Sequence, residues 1–255
     1  MPYTNNPDEY YIGKGRVWID VLDADGARTG ERYLGNTPSF ELTPTSEKLD
    51  HFSAATAEAE LDSSIVTRSQ TSIRIVADEF SKENLAIAFM GDNSSLTQTA
   101  DSVEAEAISG VVQDRWYELA YRQVSNVVVT GPSGTPTYDL TDDYLVDAET
   151  GRIYIVAGGG ITDDSDLEVD YDYDDLALQT TRAITNTTLR AFIRFISDPA
   201  EGRKREFQIW KATLRADGAI GLITEEWGQI SLLGEVESDA ANHPNEPHMR
   251  IIDLE

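Results

Sequence analysis

The chain has 255 residues, of which 46 are acidic and 20 basic, giving a formal net charge of -26. That balance argues against a duplex-groove binder, which needs a basic face to meet phosphates. Cysteine is absent, which excludes disulfides, thiolate metal sites and a cysteine nucleophile, while an apolar fraction of 40% is enough for one large β domain or two small ones.

The opening MPYTNNPDEYY has neither a basic stretch nor an apolar run, so no secretory leader is expected. No later segment approaches the roughly 20 apolar residues that span a bilayer. Residues 1–12 read as a flexible arm. From Lys14 to Val21 the pattern alternates, with Val17 and Ile19 on one face and Arg16, Trp18 and Asp20 on the other, which predicts a strand. Asp23-Ala24-Asp25-Gly26 is a turn signal. Tyr33 to Leu42 is a second strand, bent at Gly35 and Pro38. Residues 43–63 have no period of two and little apolar content, so they are expected to form an extended interaction loop.

Thr71 to Asp92 is the stretch around which the flanks are organised. It opens as a strand, with Ile73 and Ile75 alternating with Ser72 and Arg74. It then turns helical. Ser81 caps the first turn, Glu83 sits at the positive end, and Gly91 stops the helix. Leu85, Ala88 and Phe89 form the predicted buried face, widened by Ile87 and Met90.

A polar linker, DNSSLTQTADS, follows. From Val103 a new set of strands begins, including Arg115 to Arg122 and Val124 to Thr130. Tyr144-Leu145-Val146 and Arg152 to Val156 form a hairpin across Ala148 to Gly151, and Leu167 to Tyr173 closes the set. Residues 101–178 hold 18 acids and 3 bases, against 16 and 8 in residues 1–100 and 12 and 9 in residues 179–255. The middle therefore differs in kind from its flanks and reads as an inserted antiparallel β module. The flank resumes with strands Thr188 to Ser197, Glu206 to Arg215 and Ile230 to Glu237. The tail ends in a strand-like RIIDL that is expected to dock on a neighbour.

Chemistry is sparse. His51, His243 and His248 lack metal-site spacing, and a zinc pair from His243 and His248 is weaker than solvated histidine. Asp163, Asp164 and Asp166 are candidate oxygen ligands for a hard cation such as calcium, but the loop lacks EF-hand order. Glu168, Asp170 and Asp172 alternate with Val169, Tyr171 and Tyr173, the pattern of a solvated face over a core face. Ala157 to Ile161 (AGGGI) lacks the lysine and hydroxyl of a phosphate loop and reads as a turn. No G-x-S-x-G elbow is present. Paired carboxylates for glycosidic chemistry would need an aromatic-lined cleft around them. Neither an enzyme nor a cofactor is expected.

Several segments together resemble the tail tube proteins of long-tailed phages. They are Gly13-Lys14-Gly15-Arg16-Val17-Trp18, Tyr33 to Phe40, the Glu47 to Ser53 stretch, Phe80 to Ala86, Arg215 to Ile223 and Trp227 to Glu237. Asp143 to Asp147 and Gly151 to Tyr154 look like the small β domains inserted in such proteins. The resemblance implies a mainly β fold: a discontinuous two-sheet sandwich over 1–100 and 179–255 with one short flanking helix, and an inserted acidic sandwich over 101–178. It further implies a virion protein, assembled in the host cytoplasm, whose hexameric rings stack helically into a hollow tube. DNA would pass through without specific binding during ejection. Further implied partners are tape measure, terminator and tail-tip proteins, with no membrane. Residues 43–63, with Glu47, Lys48, His51 and Phe52, and the hairpin tip Arg203-Lys204-Arg205 would supply contacts between subunits and rings. Arg190, Arg194 and Arg215 would pair with acids of neighbours. The acidic module would face outward, and Leu85, Ala88 and Phe89 would cover the outer face of a channel-lining sheet. The alternative is a tail-tip or surface adhesion module binding a glycan, a receptor or calcium.

Overall fold

A computed structural model describes residues 10–55 and 58–254. The fold is mainly β, with a single short α-helix among the described residues. In chain order the first elements are β1 (Gly15–Val21), β2 (Arg32–Tyr33), β3 (Ser39–Phe52), β4 (Leu61–Ala77), α1 (Lys82–Ala88) and β5 (Asp92–Gln98). Then come β6 (Asp101–Val111), β7 (Arg115–Glu118), β8 (Val124–Thr130), β9 (Tyr144–Asp147), β10 (Arg152–Ile155) and β11 (Ser165–Tyr173). The last are β12 (Leu176–Arg182), β13 (Leu189–Ser197), β14 (Arg205–Ala216), β15 (Ile230–Val236) and β16 (Met249–Asp253). Two compact units result: residues up to Asn93 together with those from Thr181 onward, and Ser94–Thr180.

The first unit is one continuous antiparallel sheet in the order β2-β1-β13-β14-β15-β4-β3, where the resemblance implied two stacked sheets. One margin of β14 is shared: Ala212–Ala216 pair with β15, and Arg205–Ile209 pair with β16. The tail strand thus docks on its own chain. The sheet curls strongly, because Phe40 of β3 stacks on Phe195 of β13 with ring centroids 5.3 Å apart, although four strand steps separate them. Curling turns alternate residues inward, among them Val17, Ile19, Ile75, Ile193, Ile209 and Leu232, into one core.

Ser81 caps α1 by accepting from the Asn84 amide at 3.2 Å. The helix is rotated from the expected orientation: it buries Asn84, Ala86, Ile87 and Ala88, leaves Leu85 half-buried and exposes Phe89. Asn84 explains the rotation. Its Nδ2 donates to the carbonyls of Leu34 at 2.8 Å and Glu79 at 2.9 Å, which pins this polar side chain inward. Ile87 and Ala88 then share its face at spacings of three and four. Gly91 follows with its amide on Ala86 O at 2.7 Å, and a Cβ there would lie 1.9 Å from Arg182 O.

Residues 43–63 are not the loop that the sequence suggests. β3 and β4 pair from Ser39↔Val76 out to Phe52↔Leu61 as one long hairpin. Every described residue of β3 from Thr43 onward and of β4 up to Ser69 is exposed. Neither face of this arm is buried, so alternation in the backbone leaves no trace in hydrophobicity.

The second unit holds two three-stranded antiparallel sheets, β7-β10-β9 and β6-β11-β8. Its core includes Val129, Ile153, Ile155, Ile161, Leu167 and Val169. The supposed linker after Gly91 is largely strand β5, which pairs with β12 in a two-stranded ribbon carrying both chain crossings between the units. No helix among the described residues is long and apolar enough to cross a membrane.

Candidate functional site

β3 ends the first unit's sheet, and among the described residues no strand pairs with its outer margin. The arm it forms with β4 carries large apolar side chains in the open: Leu49, Phe52, Leu61, Ile65 and Val66 are each more than half exposed. Register sets Leu49 against Ile65 and Phe52 against Leu61, so these groups face one another across the hairpin. Glu47 pairs with Arg68 at 3.4 Å, and His51 Nδ1 lies 2.5 Å from Asp62. Ser64 Oγ donates to Asp50 at 2.6 Å. Lys48 follows a bulge and sits opposite Val66. All four sequence-derived arm residues, Glu47, Lys48, His51 and Phe52, are therefore exposed on one hairpin.

Arg203 and Lys204 lie in the turn into β14, and Arg205 is the first residue of that strand. Lys204 is 3.3 Å from Asp198, and Arg205 Nε is 2.7 Å from Asp253 of β16. The Lys204 carbonyl accepts from the Leu254 amide at 3.0 Å. Arg203 is not free either. Arg190 pairs with Glu237 at 3.4 Å, and Arg194 pairs with Glu31 at 2.7 Å and with Glu206. These cations, which the sequence suggested for neighbouring subunits, already have partners within the chain.

The face of the sheet away from its core is organised by Asp20, which the sequence placed opposite Val17 and Ile19 without assigning it a role. Asp20 is fully buried. Its carboxylate accepts from Arg28 Nε, Thr29 N and Gly30 N, each at 2.9 Å, and from Thr29 Oγ1 at 3.1 Å. Burial works against ionisation, yet these donors more than offset it and hold the carboxyl below its usual range. Arg28 continues over the Phe192 ring, 3.8 Å from its centroid, and reaches Glu31 at 2.5 Å. Glu31 in turn is held below the usual carboxylate range, first by its bonds from Arg194 and, against burial, by Arg28. Asp20, Arg28, Glu31, Arg194 and Glu206 thus form a relay of alternating charge. The only sequence signal was Arg28 three residues before Glu31 in a turn.

In the second unit the acidic row is explained by backbone needs. β6 and β8 bulge where their register with β11 shifts. Asp166 accepts from the Gly110 amide at 3.0 Å, Asp170 from the Ala105 amide at 2.6 Å, and Asp172 from Asn126 Nδ2 at 2.7 Å. Gly110, Ala105 and Asn126 all have positive φ. At Gly110 and Ala105 a bulge frees a backbone amide from the ladder and a carboxylate on the facing strand satisfies it, whereas at Asn126 the carboxylate takes the side-chain amide. Asp163 likewise accepts from Gln113 N at 2.9 Å, while the Asp164 amide donates to Val111 O at 2.8 Å. The candidate ligands Asp163, Asp164 and Asp166 are not gathered: among the described residues, no three His, Asp or Glu side chains are placed to hold a metal ion. The AGGGI turn is also occupied, since Gly160 gives its amide to Asp143 at 2.5 Å. Bonds from the Asp139 and Gly160 amides hold the Asp143 carboxyl below its usual range.

Over residues 10–248 the sequence matches the family described as Protein of unknown function UCP028589. The chain belongs to that family. No curated protein matches it. The family match takes in the arm, the Asp20 relay and the acidic second unit together.

Proposed function

We propose that the chain is a structural, non-enzymatic subunit of a phage tail tube, building hexameric rings that stack into a hollow conduit for DNA. The observation that carries this reading is the β3–β4 arm. It leaves Leu49, Phe52, Leu61, Ile65 and Val66 in water beside a strand margin that, among the described residues, no strand pairs with. Such a surface is an aggregation hazard in a monomer and a docking surface in an assembly. Other copies would cover it, with Lys48 and Phe52 among the contacts and Glu47 and His51 bracing the hairpin from within. The flanks that would build the conduit wall are themselves acidic, with 16 acids against 8 bases in residues 1–100 and 12 against 9 in residues 179–255, which fits a wall that repels phosphate and lets DNA slide.

The test is electron microscopy and sedimentation of purified protein over a wide concentration range. Rings or tubes of sixfold symmetry are expected. A species that stays monomeric at every concentration and salt would overturn the reading.

A further inference from the structure

The first unit carries a hole and a knob, neither of which has a role so far. The hole is a groove of about 530 Å³ where the curled sheet brings β1 and β3 together. Val17, Phe40, Leu42, Phe195 and Phe207 make an apolar, aromatic stretch of its lining, Asn36, Thr37 and Ser39 make a polar one, and Lys14 stands at its rim. Among the described residues Lys14 forms no ion pair, whereas most bases of this unit have an acid beside them. The knob is the loop between β14 and β15. It holds Leu222, Ile223 and Trp227 almost wholly in water, at 77%, 101% and 92% exposure, with Glu225 and Glu226 between them.

This loop is built to present those side chains. Ile220 anchors its start on the core, and Gly228 closes its end so near the Phe80 ring that a Cβ would lie 2.9 Å away. Between them Thr224 Oγ1 accepts from the Glu226 amide at 2.8 Å and donates to the Glu226 carbonyl at 2.6 Å. An ordered turn that exposes a tryptophan and two aliphatic side chains matches a binding anchor more than a solvated connection.

We propose that the Trp227 loop of one copy seats in the β1–β3 groove of a second copy. Trp227 fills the aromatic cleft, and Glu225 or Glu226 meets Lys14. The charges are complementary, and both partners are apolar where they touch. Because knob and hole are different surfaces of one chain, the contact is heterologous and repeats from copy to copy. The inference rests on the self-assembling reading and names the surfaces that mate within it.

The cysteine-free sequence makes the test clean. Glu226→Cys and Ser39→Cys chains are made separately, mixed and mildly oxidised. Ser39 lines the groove and Glu226 adjoins Trp227. Disulfide-linked heterodimers are expected at least about tenfold above a mixture of Glu226→Cys with Ser125→Cys, and Trp227→Ala added to the Glu226→Cys chain should remove that excess. At dilutions where the parent is monomeric, melting curves of the Trp227→Ala chain should match those of the parent, because the side chain is exposed within one chain. Heterodimers no more abundant than the control overturn the proposal. So does a doubly substituted chain that closes its disulfide within itself, because the loop would then fill its own groove. Micrographs of the unsubstituted protein separate the two readings. Tubes without the specific cross-link refute the contact and leave the tube. The cross-link without rings or tubes keeps the contact and refutes the tube, and the absence of both refutes both.

Discussion

Asp20→Ala is the sharpest probe of the first unit. The substitution removes a fully buried carboxylate that accepts four hydrogen bonds, and it leaves the Thr29 and Gly30 amides without an acceptor. Removing one partner of a buried charge pair costs about 3–5 kcal/mol. Arg28 is 47% exposed on its side chain and can turn to water, so the lower end applies, about 3 kcal/mol. Asp20→Asn keeps an acceptor for the amides but loses the charge, for a cost of about 1.5 kcal/mol. Urea titrations read by tryptophan fluorescence measure both. Trp18, Trp210 and Trp227 belong to the first unit and Trp116 to the second, so a Trp116→Phe background isolates the relevant transition. The folded Asp20 carboxyl lies below its ordinary value of 3.8, so its contribution is complete above that value and is lost as pH falls through the folded pKa. The gap between parent and Asp20→Asn should therefore hold steady from pH 7 to about pH 5 and close below about pH 4. An Asp20→Ala cost under about 1 kcal/mol, or a gap that widens in acid, would refute the argument that this carboxylate organises the turn.

The helix gives a second test. Ile87→Asp places an unpaired charge in the core and should unfold the first unit, at more than about 4 kcal/mol, whereas Leu85→Asp should cost about 1–2 kcal/mol and leave circular dichroism nearly unchanged. If Leu85→Asp is the more damaging, the orientation set by Asn84 is wrong. Asp166→Ala and Asp170→Ala should each lower the second unit's stability by about 1–2 kcal/mol, seen in Trp116 fluorescence and not in the other tryptophans. Millimolar calcium should leave the second unit's melting temperature unchanged, since Asp163 and Asp166 already cap amides; a rise of several degrees would restore the cation site. Replacing residues 47–66 by a two-residue turn should give a folded protein with a near-parental melting curve and no rings or tubes in micrographs.

The strands with one buried face were legible in advance. β15 and β10 alternate in burial as the sequence does, and in β1 and β13 the sequence marks the core face at Val17, Ile19, Ala191 and Ile193, although Asp20 and Phe192 on the opposite face are buried too. The arm and the β5–β12 ribbon were not, because they bury little on either face and their polar residues carry no period. The helix was legible as an element, but its orientation was not: Leu85 and Phe89 are the more hydrophobic candidates, and only the carbonyls of Leu34 and Glu79 make Asn84 the inward residue. Asp20 shows the same limit. Alternation put it opposite Val17 and Ile19, as the structure does, but nothing in the local pattern says that Arg28 and Thr29 fold over it. The acids of β11 were read correctly as a face and incompletely as chemistry, since bulges in β6 and β8 arise from pairing at long range.

The order of pairing along the chain sets an order of events during synthesis. β1 finds its long partner only in β13, and β4 finds its second neighbour only in β15, so the first four strands emerge from a ribosome with most of their sheet still unmade. Ser94–Thr180 emerges next as one uninterrupted stretch with its own core, and it can close while the ribosome is still translating. The first unit then forms across a loop that is already compact, which shortens the distance its two halves must search. Because β5 and β12 pair where the chain leaves and re-enters the first unit, closing Ser94–Thr180 brings the start of the sheet's second half back beside the end of its first.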